Sequence, residues 1–314
     1  MLKLTEIQDI KIEDISSHVF DLGIFASGYE SRSSYLIRNL DESIILNKMV
    51  FGFKNFRHNK IREENDQIFK DKGFSEINIL GQGDSRLIYD LLIETDLAIF
   101  SKKKEIKILI DYASMSRMWY SSILNFFRTL KDINVEVFLN YSPGEYKDFE
   151  FIDYSYSSID SLPSHEGSLS SNTKTLLILG IGFSPYLIKS VIEEIEPNEI
   201  IGILPMPSVN SSYDKKIKEI KNELLVRDIK NWVKCPVKSL ESTFRIYAEL
   251  TNEAIDSKDI LFLSVGPKIL TMASLLVSQR FDQVTSLYLK TPKLEDKDVK
   301  ATGEFICNRI KYIP

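Results

Sequence analysis

Three ionisable residues in the first half of the chain have the types and spacing needed for acid–base chemistry. Glu30 and Arg32 lie two positions apart in the polar segment 27–32, and Asp111 ends an apolar run further along the chain. Two carboxylates and a guanidinium that converge in one pocket suit a metal-independent phosphodiesterase or nucleosidase. In a simpler interpretation, which we keep open, Glu30 and Arg32 pair with each other and orient the segment.

A second group of residues suits the binding of a phosphate. Apolar runs end at Asp111 and Ser264, and each is followed by a turn and a cation, Arg117 or Lys268. A strand, a turn and a helix in that order present backbone N–H groups to an anion. Because a cation is disfavoured at a helix N-terminus, a nearby anion would explain both cations. The candidate ligand-binding residues are Ser27, Gly28, Ser114, Ser116, Arg117, Gly182, Phe183, Ser184, Ser264, Gly266 and Lys268.

These turns also have a purely structural interpretation. Gly28 and Gly182 would supply a positive φ at the end of a strand. Ser184 would cap a helix, and Pro185 would fit the first turn of that helix, where its missing N–H has no cost. Both interpretations therefore stay open for each residue, and the matched positions of the turns in the two halves favour a ligand.

Other classes of site lack the residues that they need. A dinucleotide fingerprint would place its third glycine at Pro185 or Arg86, and the glycine-rich loop of P-loop enzymes has no match. Ser114 and Ser116 have no histidine nearby in the sequence to act as a base, which argues against a Ser-His-Asp hydrolase. The three histidines and two cysteines are scattered, so we expect no metal site and no bound cofactor.

The composition restricts the class of protein. The chain has 314 residues, of which 43% are hydrophobic and 27% charged, which predicts an ordinary globular protein with two domains. The net charge of −5 argues against the binding of a nucleic-acid duplex, which usually needs a basic domain. The N-terminus lacks an apolar signal region, and no apolar run is long enough to span a bilayer. We therefore expect a cytoplasmic location and no membrane contact.

Apolar runs typical of strands alternate with helical segments along most of the chain, which predicts βαβ units. Because this order occurs twice, we predict an α/β fold of two tandem Rossmann-like domains, each with a mostly parallel five-stranded sheet flanked by helices. The predicted boundaries are 1–142 for the first domain, 143–173 for a linker with an extra edge strand near 149–154, and 174–314 for the second domain.

The predicted topology brings the polar turns together in each half. In the strand order 3-2-1-4-5, an open parallel sheet binds its ligand between strands 1 and 4, beyond their carboxyl ends. Turns 27–32 and 111–117 lie at this point in the first half, and turns 180–185 and 264–268 lie there in the second. The sequence therefore predicts two quasi-equivalent pockets.

Two short segments in the second half resemble a known family. One follows the first strand and the other follows the fourth, and they read Gly182-Phe183-Ser184-Pro185 and Gly266-Pro267-Lys268. In this pattern residues 174–292 resemble CRISPR-associated Rossmann-fold (CARF) sensor domains, with Pro267 in the place of the family's threonine. The first half is similar only through the repeat, because it lacks the proline and the glycine–lysine pair. A fused double unit also resembles the SAVED sensors of anti-phage systems.

The resemblance implies a cyclic or oligomeric nucleotide ligand and an anti-phage or CRISPR-linked role. Our leading hypothesis is a sensor whose nucleotide lies between the two switch-point clefts, with Arg117 and Lys268 neutralising phosphate. A nucleotide second messenger or another small anionic ligand is the expected partner, while an effector protein and self-association stay open. The alternatives are a nucleotide-cleaving enzyme that uses Glu30, Arg32 and Asp111, and a structural subunit of a defence complex.

Overall fold

The structure is a computed structural model and describes residues 1–146, 156–168, 174–224, 229, 231–290 and 297–314. The chain divides into two compact units, Met1–Tyr146 with Glu295–Pro314 (unit 1) and Lys147–Leu294 (unit 2). Along the sequence, unit 2 is therefore inserted between two parts of unit 1. The edge strand predicted near 149–154 lies outside the described residues.

Strands and helices alternate along both units. The strands are β1 (Lys3–Ile10), β2 (Leu22–Ser27), β3 (Lys48–Phe53), β4 (Ile77–Leu80), β5 (Glu105–Asp111), β6 (Asn134–Tyr141), β7 (Gly144–Glu145), β8 (Ser158–Ser161), β9 (Thr175–Gly180), β10 (Glu199–Pro205), β11 (Asn231–Cys235), β12 (Asp259–Ser264), β13 (Val284–Lys290), β14 (Lys300–Ala301) and β15 (Ile306–Ile313). The α-helices are α1 (Ile12–Ser16), α2 (Tyr35–Arg38), α3 (Lys60–Asp71), α4 (Ser85–Thr95), α5 (Arg117–Thr129), α6 (Pro185–Ile195), α7 (Ser211–Leu224), α8 (Leu240–Ala254) and α9 (Lys268–Ser278). This alternation confirms the predicted α/β class.

The sheet of unit 1 has seven strands in the order β1-β15-β6-β5-β2-β3-β4. The five strands from β6 to β4 run parallel and have the 3-2-1-4-5 order when they are counted along the first half of the chain. Strands β15 and β1 extend the sheet beyond β6 by antiparallel pairing. All six residues of β2 are buried, which agrees with the apolar sequence of a central strand covered on both faces.

Helices pack against this sheet and hold its central strands in place. A buried cluster joins Phe25 of β2 and Leu109 of β5 to Phe69 of α3. In α5, every residue from Trp119 to Phe127 is buried, so this helix is enclosed on all sides rather than on one face. The turns that follow β2 and β5 therefore start from well-packed elements.

The sheet of unit 2 has six strands in the order β11-β10-β9-β12-β13-β8. Five of them run parallel in the same 3-2-1-4-5 order, and β8 is an antiparallel edge strand next to β13. A buried cluster joins Leu177 and Leu179 of β9 to Ile188 of α6 and Ile217 of α7. Residues Ile269–Ser278 of α9 are all buried, so α9 occupies the same enclosed position in its unit as α5 does in unit 1.

Each sheet is larger than the five strands predicted, because antiparallel strands are added to the parallel set. Lys3 pairs with Ile313, and Ile306 pairs with Tyr141, so β15 completes the sheet of unit 1. Sequence analysis had assigned residues 174–314 to the second domain, and the pairing of β15 gives a different division. The partners lie far apart in sequence, so no local pattern reveals the pairing.

In the part of the chain that the structure describes, no helix is long and apolar enough to cross a membrane.

Candidate functional site

In unit 1, helix α3 builds the turn that follows β2. Ser27 is fully buried and its hydroxyl donates a hydrogen bond to the carboxylate of Asp66. The backbone N–H of Gly28 donates to Ser33 Oγ over 2.8 Å, and its carbonyl accepts from Asn65 Nδ2 over 2.9 Å. Gly28 does not have a positive φ. The polar groups of Ser27 and Gly28 therefore shape the turn, and we leave them out of the ligand contacts proposed below.

Asn65 is the residue that holds this turn, and sequence analysis missed it. It is fully buried, and its Nδ2 donates to the carbonyls of both Gly28 and Glu30 over 2.9 Å. Its Oδ1 accepts from Ser34 Oγ over 2.7 Å. A signal existed in the sequence, because Arg62, Asn65, Asp66 and Phe69 follow the i, i+3, i+4, i+7 spacing of one helix face.

Glu30 connects the two turns across the switch point of unit 1. Its Oε2 lies 2.7 Å from Arg32 Nε and accepts a hydrogen bond from Ser114 Oγ over 3.4 Å. The side chain of Glu30 is 19% exposed and that of Arg32 is 5% exposed. Glu30 can thus contact a ligand, whereas Arg32 acts through Glu30. Burial would lower the pKa of the Arg32 guanidinium, but the charge of Glu30, its hydrogen bond to Arg32 and the nearby Tyr146 and Tyr141 together outweigh burial and raise the pKa.

A two-stranded ribbon made of β7 and β14 covers the Arg32 end of this cluster. The backbone N–H of Arg32 donates to the carbonyl of Val299 over 3.3 Å, and the N–H of Ser31 donates to Asp298 Oδ1 over 2.7 Å. A Cβ on Gly144 would lie only 3.0 Å from Arg32 Nη1, so the glycine makes room for the guanidinium. The ribbon encloses Arg32 and supports its role as a positioning residue.

Asp111, the third candidate catalytic residue, lies in a buried polar network. It is 3% exposed, and its Oδ1 accepts from the N–H of Ala113 over 3.2 Å and from Asn140 Nδ2 over 3.1 Å. Asn140 Nδ2 also donates to Ser142 Oγ over 3.2 Å, and the Ser142 carbonyl accepts from Arg32 Nη1 over 3.4 Å. Ser142 therefore links the Asp111 network to Arg32. These hydrogen bonds give Asp111 a structural role at the end of β5.

The turn after β5 ends in a capped helix. Ser116 is the N-cap of α5, where its hydroxyl accepts from the N–H of Trp119 over 3.2 Å and donates to the carbonyl of Gln82 over 3.1 Å. Arg117 is the first residue of α5 and is half-buried. The Ser116 hydroxyl is used by the cap and by Gln82, so Arg117 is the charged candidate of this turn.

In unit 2, two glycines allow the turns after β9 and β12 to touch each other directly. A Cβ on Gly182 would lie 2.1 Å from the carbonyl oxygen of Val265, and a Cβ on Gly266 would lie 2.2 Å from that of Ile181. Neither glycine has a positive φ. The close approach of the two backbones explains both glycines without a ligand.

The other candidates of unit 2 also have roles within the fold. Ser184 caps α6 by accepting from the N–H of Leu187 over 3.2 Å, and the ring of Phe183 packs edge-on against Tyr213 at 5.7 Å. Ser264 is 8% exposed and accepts from the N–H of Gly266 over 3.3 Å. Lys268, the first residue of α9, is half-buried and is the charged candidate of this unit.

The arrangement in unit 1 suits binding better than catalysis. It offers a fixed carboxylate acceptor at Glu30, a hydroxyl at Ser114 that contacts this carboxylate, and a cation at Arg117 in the same turn as Ser114. The described residues contain no cluster of His, Cys, Asp and Glu that could hold a metal ion. Compared with known proteins, the chain matches no family model, no curated protein and no solved structure.

Proposed function

We propose that this protein binds a small anionic ligand of the nucleotide class at the carboxyl edge of the unit 1 sheet, and that it acts as a sensor of that ligand. The observation that carries the proposal is the bridge from Glu30 to Ser114, which joins the turns after β2 and β5. Open parallel sheets bind ligands at this point. The resemblance of residues 174–292 to CARF domains supports the nucleotide class and an anti-phage or CRISPR-linked role.

The chemistry of the bridge supports a ligand that donates hydrogen bonds. An ionised carboxylate is an acceptor only, so Glu30 would accept from a ribose hydroxyl or from the N–H of a base. Arg32 is buried and holds Glu30 in place, which reduces the entropy lost when the ligand binds. Arg117 would contribute positive charge at the start of α5.

A hydrolytic activity is the weaker candidate, because the acids are committed to other contacts. A general base needs a carboxylate that is free to take a proton, whereas Glu30 is bound to Arg32 and Ser114. Asp111 is buried and holds the backbone of Ala113 and the side chain of Asn140. We therefore propose a binding role for the cluster and place the enzyme second.

Calorimetric titration with ATP, GTP, cyclic di-AMP and cyclic di-GMP tests the proposal. We expect at least one nucleotide to bind with a Kd well below millimolar. Glu30→Gln should weaken it about tenfold, since a hydrogen bond to a charged group contributes about 1.5–3 kcal/mol. Ser114→Ala should weaken it about threefold, as expected for a neutral hydrogen bond.

Glu63→Gln is the matched control, because Glu63 is an exposed acid on the neighbouring helix α3 and loses the same charge. It should leave the Kd unchanged. Lys268→Ala tests whether the nucleotide binds in unit 2 instead of unit 1. If this variant loses binding while Glu30→Gln keeps it, the ligand lies in unit 2 and the assignment to unit 1 is wrong. If none of the four nucleotides binds, the sensor function itself is wrong.

A further inference from the structure

The loop 54–58, which follows β3, combines positive charge and aromatic rings at the same edge of the sheet as Glu30. Lys54, Arg57 and His58 are exposed. Among the described residues, Lys54 and Arg57 have no carboxylate within ion-pair distance. Strands β2 and β3 are parallel neighbours, so their carboxyl ends and the loops that follow lie side by side.

A contact between rings joins this loop to the turn that contains Glu30. The rings of Phe56 and Tyr29 meet at 4.8 Å between centroids with an interplanar angle of 60°. Both side chains are partly exposed. Tyr29 directly precedes Glu30 in the sequence, so the ring contact joins loop 54–58 to the turn that contains the carboxylate.

The backbone at Phe56 is strained. Its φ is +59°, in the left-handed region that bulky residues rarely adopt. Such strain persists only where other interactions compensate for it, and it is concentrated at ligand-binding and catalytic positions. A partly exposed aromatic ring held in this conformation is suited to stacking with a base.

We propose that loop 54–58 binds the base and the phosphate of the nucleotide, with the base on Phe56 and Tyr29 and the phosphate on Lys54 and Arg57. This inference rests on the proposed function and names the parts of the ligand that the loop contacts. Glu30 repels a phosphate and therefore takes the ribose hydroxyls, while the exposed cations Lys54 and Arg57 take the phosphate. The contacts are to any base, because stacking on an aromatic ring is tolerant of base identity.

Four probes separate these contacts: adenosine, ribose 5-phosphate, AMP and the linear dinucleotide pApA. Wild-type protein should bind AMP about tenfold more tightly than ribose 5-phosphate, since a stacked base contributes about 1–3 kcal/mol. It should also bind AMP about tenfold more tightly than adenosine, through charge-assisted contacts to the phosphate. The preference for AMP over adenosine should fall with added salt, because Lys54 and Arg57 are exposed.

Two variants assign each preference to its residues. Phe56→Gly should abolish the preference for AMP over ribose 5-phosphate, and glycine accepts a positive φ, so the melting temperature should not fall. The double variant Lys54→Ala/Arg57→Ala should abolish the preference for AMP over adenosine. Lys104→Ala is the control, since Lys104 is an exposed cation just before β5, at the opposite edge of the sheet.

The outcomes distinguish this inference from the proposed function. If AMP and pApA bind and Glu30→Gln weakens them while both loop variants bind like wild type, the loop is not part of the site and the inference is wrong. If Phe56→Gly lowers the melting temperature and leaves all four affinities unchanged, the ring has only a packing role. Absence of binding by every probe to wild-type protein overturns the inference together with the proposed function.

Discussion

Gly182 and Gly266 are glycines because the backbones of the two turns of unit 2 come too close there to leave room for a Cβ. In sequence they resemble the glycines of a phosphate-binding turn, but in the structure each approaches a carbonyl oxygen of the other turn. Glu30 shows the opposite behaviour, because it looks like a local partner of Arg32 and also reaches Ser114 in a distant turn. A residue type thus indicates what chemistry is available, whereas the contacts decide whether it is free for a ligand.

Replacing either glycine of unit 2 by alanine should destabilise the protein in the absence of any nucleotide. The new Cβ would lie 2.1 Å or 2.2 Å from a backbone oxygen, so one of the two turns must shift. We expect Gly182→Ala and Gly266→Ala each to cost about 1–3 kcal/mol, the usual range for overpacking. Urea unfolding measures this cost.

Gly83→Ala serves as the control, since nothing lies within 4 Å of a Cβ at Gly83. This variant should unfold at the same urea concentration as wild type, or higher. Unchanged stability of Gly182→Ala and Gly266→Ala would contradict the close approach and return the glycines to a role in ligand binding.

At the scale of single elements, the sequence predicts the parallel strands and their helices well. The apolar run that ends at Ser264, for example, is strand β12, and the strand ends at that residue because a glycine turn follows it. Strand β1 has no such signal, because its residues are mostly half-exposed and its only strand partner among the described residues is the distant β15. Local periodicity predicts elements that bury an apolar face, and it does not predict elements defined by a distant partner.

Helix α3 shows why the candidate site was only partly predicted. Its sequence is rich in charged residues, which is typical of a solvent-exposed helix, yet Arg62 and Asn65 are buried and form its inner face with Phe69. Arg62 donates to Asp66 Oδ1 over 2.7 Å and to the carbonyl of Phe53 over 2.6 Å. Buried polar side chains look like surface residues in a sequence, and only the contacts identify them.

Asn65→Ala should weaken both the fold and the proposed site. The substitution removes hydrogen bonds to Gly28, Glu30 and Ser34 and leaves their buried groups unsatisfied, at a cost of about 1–3 kcal/mol. Because the turn then loses its fixed position, nucleotide affinity should fall even at temperatures where the protein stays folded. Chemical denaturation and calorimetric titration at low temperature measure the two effects separately.

Gln67→Ala is the matched control, because Gln67 is an exposed amide on the same helix. It should change neither quantity. A stability loss in Asn65→Ala with unchanged nucleotide affinity would show that α3 supports the fold without positioning Glu30.

At the scale of the whole molecule, the last strand of the chain belongs to the unit that contains the first. β15 lies between β1 and β6, with cross-strand ion pairs from Lys311 to Glu6 and to Glu136. The sequence repeat predicts two domains in tandem, and five parallel strands in the same order lie in each half of the chain. The place of β15 could not be predicted, because the pairing of residues about 300 positions apart leaves no periodic signal.

The two cysteines allow the unfolding of each unit to be measured separately. Cys307 lies in β15 of unit 1 and Cys235 lies in β11 of unit 2, and both are buried. Burial raises the pKa of the Cys235 thiol to about 12, and burial together with the nearby charge of Asp111 raises that of the Cys307 thiol to about 12. Because the thiolate is the reactive form, both residues should resist alkylation at pH 8 until their own unit unfolds.

Ile310→Asp should therefore expose Cys307 and leave Cys235 protected. Ile310 is fully buried in β15, and an unpaired carboxylate at this position should cost more than about 4 kcal/mol, enough to unfold a marginally stable unit. Ile313→Asp, at a position in the same strand that is 41% exposed, is the control and should keep both thiols protected. Pulsed alkylation followed by mass spectrometry of each cysteine peptide measures the outcome. If Ile310→Asp makes both thiols react at the same rate, the units do not unfold independently; if Cys235 reacts first, residues 306–313 stabilise unit 2 instead of unit 1.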